Sequence, residues 1–276
     1  MKYSSMKKTG IFFLLFYVLS HFILPLGHAQ QDIRIKRREF KIEAKEGFQA
    51  AWKSRREGDN FYDKGRGYYD KALERFLEAR NYNPDNAALN YKIGVCHFQL
   101  GNNQKAVQFF NEALAMDEEV AIDVFYLLAR AYHFSYEFQN AIQNYQQCLE
   151  SNIIKDLDIP PKRINVYIRQ CNNGKDLLKE PVRVNIHNMG KKINSPYDDY
   201  GPVFKGDSVL YFTSRRRHEK NDDRWPGDRK FYSNVFRSER QSEQWQPARL
   251  ITGEIFSRHN NAIVEATSNP RRIYVY

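Results

Sequence analysis

Seven histidines, three cysteines and two aspartate doublets are the residues from which this chain could build reactive chemistry. His21 and His28 fall in an apolar leader. His97, His133, His187, His218 and His259 each stand isolated from other metal-type ligands. A metal centre needs three or four converging ligands, so this spacing implies no metal. Asp198-Asp199 and Asp222-Asp223 lack the D-x-D-x-D-G spacing of a calcium loop and read as solvated loop acids. Arg215-Arg216-Arg217 follows a strand and is expected to fan into solvent, with a phosphate or lipid headgroup as the alternative. Cys96, Cys148 and Cys171 have no histidine at a catalytic spacing. Cys148 and Cys171 fall on adjacent expected helices, as a disulfide or as small buried residues. The chain contains no Walker loop, G-x-S-x-G, H-E-x-x-H or C-x-x-C. The expectation is a protein that is not an enzyme, with no catalytic, metal or cofactor site.

The charge distribution narrows the partners. Net charge is +10, and from residue 181 onward 17 basic residues face 11 acidic ones. Those bases are interleaved with acids such as Asp222 and Asp228, which fits a solvated face and argues against nucleic-acid binding. Apolar residues make up 42% of the chain, enough for a packed core and too many for wholesale disorder.

The first residues have the order of an export signal. Lys2, Lys7 and Lys8 precede an apolar run from Ile11 to Leu19, Pro25 breaks it, and Gly27-His28-Ala29 offers small residues at a cleavage site. The alternative is a retained anchor, for which the run falls short of the ~20 residues a membrane span needs. The mature protein is expected to begin near Gln30, outside the cytoplasm.

The elements that must carry any site then emerge from a repeat. Small residues Ala72, Ala106 and Ala141 recur, each followed by an aromatic (Phe76, Phe110, Tyr145) and another small residue (Ala79, Ala113, Cys148). Gly94 and Ala129 mark a second helix ahead of the latter two segments. Small residues let antiparallel helices approach closely, and the aromatic fills the groove beside them. Pro84 ends the first pair. This pattern resembles the tetratricopeptide repeat, with Leu89, Ile93, Gly94, Gly101, Ala106, Phe110 and Ala113 on core positions. The first unit departs from it, with a longer first helix and an added loop at Lys64-Gly65-Arg66-Gly67. A stack of this kind needs a polar cap, which Ile164, Ile168 and Cys171 at helical spacing can supply. The resemblance implies a concave partner-binding groove lined by Tyr91, Val95, Phe98 and Gln99 in the second unit and by Asp123, Tyr126, Arg130 and His133 in the third. Several of these could instead pack against the adjoining repeat.

Beyond residue 181 the period changes to two. Val182-Arg183-Val184-Asn185-Ile186 alternates like a strand. Further strands are expected at 203–204, 208–213, 233–238, 245–251, 262–265 and 272–276, with turns at Lys205-Gly206-Asp207 and Ser268-Asn269-Pro270. The strand ending Phe212-Thr213-Ser214-Arg215 resembles the TolB-type β-propeller repeat, although the Asp-Gly turn of that family is reversed here to Gly206-Asp207. One blade and part of a second cannot close a ring, so the chain reads as the front of a longer one.

Together these imply an α+β multidomain protein, an α-helical tetratricopeptide solenoid followed by the first blades of a β-propeller. The divisions are 1–29 signal, 30–46 extension, 47–159 repeats, 160–180 capping helix and linker, and 181–276 incomplete propeller. The order resembles Bacteroidetes envelope proteins of the PorE-like, OmpA-family architecture. That resemblance implies a periplasmic, outer-membrane-associated scaffold for envelope proteins or peptides, linked to type IX secretion, with peptidoglycan bound only through domains absent here. The rival expectation is the front of a secreted, propeller-gated peptidase.

Overall fold

The computed structural model describes residues 33–43, 46–150, 159–220, 222–253, 255–257, 259–266 and 272–276. The expected leader and the expected Ser268-Asn269-Pro270 turn lie outside them. The described residues form eight helices and then seven strands. By contact the chain divides into two units, one holding Arg80–Asp176 and the other Gln49–Ala79 with Leu177–Tyr276.

The first unit contains the short α1 (Arg37–Phe40), then α4 (Ala87–Gln99), α5 (Asn103–Met116), α6 (Val124–Phe134), α7 (Phe138–Glu150) and most of α8 (Pro161–Lys179). The start of α4 is set by Asn86, whose side-chain oxygen accepts from the Leu89 N–H at 2.9 Å. Its end is set by Gly101 at φ +78, where Asn102 N–H donates to His97 O at 2.9 Å. Tyr136 takes the same left-handed place between α6 and α7, at φ 62.

The small-residue pattern does the packing expected of it. A Cβ at Gly94 would stand 2.7 Å from Phe110 Cδ1, so the α4 backbone rests on the α5 ring. Ala106, Phe110 and Ala113 are fully buried, as are Ala141 and Tyr145 on α7. Helix α8 packs on α7: a Cβ at Gly174 would meet Phe138 Cζ at 2.5 Å, and Lys175 Nζ donates to Gln139 Oε1 at 2.7 Å. All three cysteines are buried thiols outside any disulfide. Burial pushes the Cys148 thiol up to about 12, aided by Asp123, and the Cys171 thiol up to about 11.

The second unit joins a helical pair to the strands. In α2 (Phe48–Tyr62), Gly58 lies against Phe76 of α3 (Tyr69–Arg80), where a Cβ would stand 2.5 Å from the ring. At the start of α3, Asp70 receives Arg229 Nη2 at 2.8 Å, and the same guanidinium lies 4.7 Å above the Tyr68 ring.

The strands form an antiparallel meander, β1 (Asp199–Lys205), β2 (Val209–Ser214) and β3 (Asn234–Gln241), with β4 (Gln244–Trp245) and β5 (Arg249–Leu250) both pairing β3. The single strand expected at 245–251 is broken in two, since Pro247 between them has no N–H for a ladder. A second sheet pairs β6 (Ile263–Ala266) with β7 (Ile273–Val275). Alternation along β2 feeds two cores. Leu210 and Phe212 join Ile193 and Phe236 on one face, while Tyr211 joins Val235 and Ile263 on the other. Ile263 N–H also donates to Thr213 Oγ1 at 3.0 Å.

Two expectations are corrected here. The segment 182–186 is not a strand and pairs with none among the described residues; its side chains are exposed. The arginine triplet does not fan into solvent. Arg215 bonds Asp228 through both terminal nitrogens (2.5 and 2.8 Å) and donates to Phe231 O. Arg216 holds Asp199, Ser214 and the Ile193 carbonyl. Only Arg217 is exposed, paired with Asp222. Polar partners from β1, β2 and the flanking loops make it possible to bury these two guanidinium groups.

Candidate partner-binding face of the helical repeats

Of the eight residues expected to line a groove, four lie inside the first unit. Tyr91, Val95, Asp123 and Tyr126 are buried. The cause is that α4 is enclosed on every side, from Leu89 through His97. Tyr91 Oη donates to Asp123 Oδ1 at 2.6 Å, and its ring packs 5.9 Å from Phe110. A side chain without exposure offers no surface to a partner, so these four are packing residues in this structure. Replacing Tyr91 and Tyr126 with Ala would therefore damage the fold as well as any surface.

The other four reach the surface. Gln99 is exposed, and Phe98, Arg130 and His133 are half-buried. Arg130 is the electrostatic centre of this face. Its Nη1 donates to Tyr126 Oη at 3.0 Å and to Tyr167 Oη at 3.4 Å, and its guanidinium stands 4.9 Å from the Phe134 ring and 4.8 Å from Tyr167. Among the described residues no carboxylate pairs with it, and its Nε is buried without an acceptor. Burial pulls the His133 imidazole below its ordinary value, and Arg130 adds to that effect, so His133 is neutral at pH 7. Its Nδ1 lies 3.3 Å from Tyr145 Oη.

Sequence reasoning missed two residues here. Phe134 is 50% exposed, with its ring 6.1 Å from Phe98, and Tyr136 is 71% exposed. Both border a surface cleft of about 410 Å³ that also takes in Asn102 and Lys105 at the start of α5. The available signal was positional. Tyr136 occupies the turn position that Gly101 fills one repeat earlier, and a bulky residue with positive φ is uncommon.

This geometry is that of a helical repeat module with an aromatic and cationic face. The tetratricopeptide-repeat family matches the chain at residues 55–121 and again at 122–152, so the chain contains tetratricopeptide repeats. Proteins built of such repeats serve as protein-interaction modules. No curated protein sequence matches the chain. Among solved structures, the Arabidopsis OM64 repeat domain is similar at 16% identity, covering 45% of this chain and 96% of that one, with a TM-score of 0.36. The second repeat domain of human RPAP3, solved with an HSP70 peptide, is 15% identical over 45% of this chain and 96% of its own, with a TM-score of 0.36. Yeast Tom70 is 17% identical over 49% of this chain and 26% of its own, with a TM-score of 0.40.

Proposed function

We propose that this protein is a non-enzymatic scaffold of the bacterial envelope that holds peptide or protein partners on its tetratricopeptide repeats. The observation that carries the reading is the face made by Phe98, Gln99, Arg130 and Phe134, extended by Tyr136. It combines half-exposed aromatics with a cation that no carboxylate among the described residues neutralises. Aromatic and arginine side chains give large contact area and directional polar contacts at interfaces. Tyr136 supports the same reading. A left-handed tyrosine costs about 1 kcal/mol relative to glycine, and such strain tends to persist at functional sites.

Export follows from the leader, and periplasmic location, outer-membrane association and a role with type IX secretion follow from the resemblance in domain order. We read the strands as the first blade and part of a second of a TolB-type propeller. That reading is supported by the antiparallel meander and by the second sheet packed on it through Tyr211 and Ile263.

The test is recovery of partners from envelope extracts on immobilised wild type and on the variant Gln99→Ala, Arg130→Gln, Phe134→Ala. Loss of a mass-identified partner by at least tenfold, with helicity intact, supports the reading. Equal recovery of every partner places binding elsewhere. Mass spectrometry of the envelope form should find Gln30 at its N-terminus, and a chain beginning at Met1 would end the export claim.

A further inference from the structure

The cleft of about 410 Å³ in the first unit is walled by the turns of two successive repeats, Gly101 to Lys105 from one and Phe134 to Tyr136 from the next. Its polar side chains are unused by the fold. Asn102 precedes α5 without capping it, although asparagine is a favoured cap. The Asn103 and Gln104 carboxamides and the Lys105 ammonium have no hydrogen-bond or ion-pair partner among the described residues. The rest of the wall is aromatic, with Phe134 50% and Tyr136 71% exposed. The Tyr136 ring is braced edge-on against Phe138 at 6.1 Å. A concavity that combines aromatic surface with a few unspent polar groups has the make-up of a ligand site.

The polar groups define what fits. Each planar carboxamide offers a donor and an acceptor, the pair that a peptide group presents in return. Three such side chains in sequence suit an extended backbone, which repeats its peptide groups every ~3.4 Å. The charge has one sign. Lys105 lines the cleft, and the Arg130 guanidinium stands 4.9 Å from the Phe134 ring. Among the described residues no carboxylate lines the cleft, and the neighbouring Glu137 accepts from Asn140 Nδ2 at 2.9 Å. A basic segment would set like charges against each other, whereas an acidic one meets a complementary potential.

We propose, on the basis that the repeats hold peptides, that this cleft takes an acidic side chain from the interior of an extended partner segment. Lys105 pairs with that carboxylate. Asn102, Asn103 and Gln104 hold the backbone around it, and apolar residues beside it lie on Phe134 and Tyr136. No chain terminus is required, because one ammonium among carboxamides answers one side-chain charge between ordinary peptide groups.

The probe is a display library of random heptapeptides fused at both ends, so that no terminal carboxylate is offered, selected on the immobilised full chain. Enriched sequences should carry Asp or Glu beside apolar residues. Lys105→Glu should turn the selection toward Lys and Arg. An enriched peptide, synthesised with both ends blocked and titrated by fluorescence anisotropy, should lose at least tenfold in affinity for Lys105→Glu and for Tyr136→Gly. Lys71→Glu, an exposed lysine of the other unit, should bind it as wild type does. Enriched sequences without an acid overturn the proposal, as does equal affinity for wild type and Lys105→Glu. Envelope partners that are lost with the Arg130 variant but held equally by Lys105→Glu would overturn it while leaving the scaffold role standing. Failure to enrich any peptide together with failure to capture any partner would remove both.

Discussion

Tyr91 Oη donates a 2.6 Å hydrogen bond to Asp123 Oδ1, linking the middle of one repeat's first helix to the residue that precedes the next repeat's first helix. Both residues are buried, so the bond couples consecutive repeats in the interior. Removing the hydroxyl takes a donor from a desolvated carboxylate. Tyr91→Phe should cost about 1–3 kcal/mol, read as a lower urea midpoint at constant slope. Tyr91→Ala should cost more, because it also empties the space beside Phe110. A Phe variant as stable as wild type would show that the bond contributes nothing to joining the repeats.

The approach of Gly94 to Phe110 makes a second prediction. A Cβ 2.7 Å from the ring forces a shift in a closed core. Gly94→Ala should therefore destabilise by about 1–3 kcal/mol, despite the better helix propensity of Ala. Adding Phe110→Leu should recover part of the loss, because the smaller side chain makes room for the methyl group. Additive losses in the double variant would mean that the two positions are not coupled through this contact.

The same contact explains how much of the fold was legible. Gly94 with Phe110 could be read because the spacing from Gly94 to Ala106 matches that from Ala129 to Ala141. Gly58 makes the same contact with Phe76, yet it was missed because the Lys64-Gly65-Arg66-Gly67 loop lengthens its distance to Ala72. The strands were legible from alternation, except where Pro247 splits one and where Val182 to Ile186 pairs with no strand among the described residues. The candidate site was less legible. Position along a helix identified Tyr91 and Tyr126, but burial depends on what covers α4, which no local pattern encodes. Arg215 and Arg216 looked solvated because their partners, Asp228 and Asp199, lie 13 and 17 residues away in the sequence.

Tyr136 offers a test that separates stability from function. Its φ of 62 lies where glycine is unstrained, and Gly101 fills the matching turn one repeat earlier. Tyr136→Gly should leave the turn intact and raise stability by about 0.5–1 kcal/mol. If the exposed ring is kept for binding, the same variant should weaken partner capture. A variant that is less stable than wild type would show that the edge-on contact of Tyr136 with Phe138, at 6.1 Å, outweighs the strain.

The Arg215–Asp228 pair predicts how the strand-bearing unit responds to acid. Each side chain is only 12% exposed. Burial pushes the Asp228 carboxyl up, but hydrogen bonds from Arg215 and the Lys230 N–H, with the charges of both residues, outweigh it and hold the group below the usual carboxylate range. Asp199 behaves alike: burial raises it, and bonds from Ser214, the Ser195 N–H and Arg216 bring it lower. A depressed folded-state pKa adds stability above the unfolded value of about 4, and that stability is lost as pH falls through the folded value. Unfolding followed by tryptophan fluorescence should thus show little change from pH 7 to 5 and a steep loss below about pH 4. Asp228→Asn keeps the shape but removes the charge facing Arg215. It should cost about 3 kcal/mol at pH 7 and flatten the acid limb of the profile. An Asn variant with the wild-type acid limb would assign the loss to other carboxylates, and one with wild-type stability at pH 7 would show that the pair adds nothing to the fold.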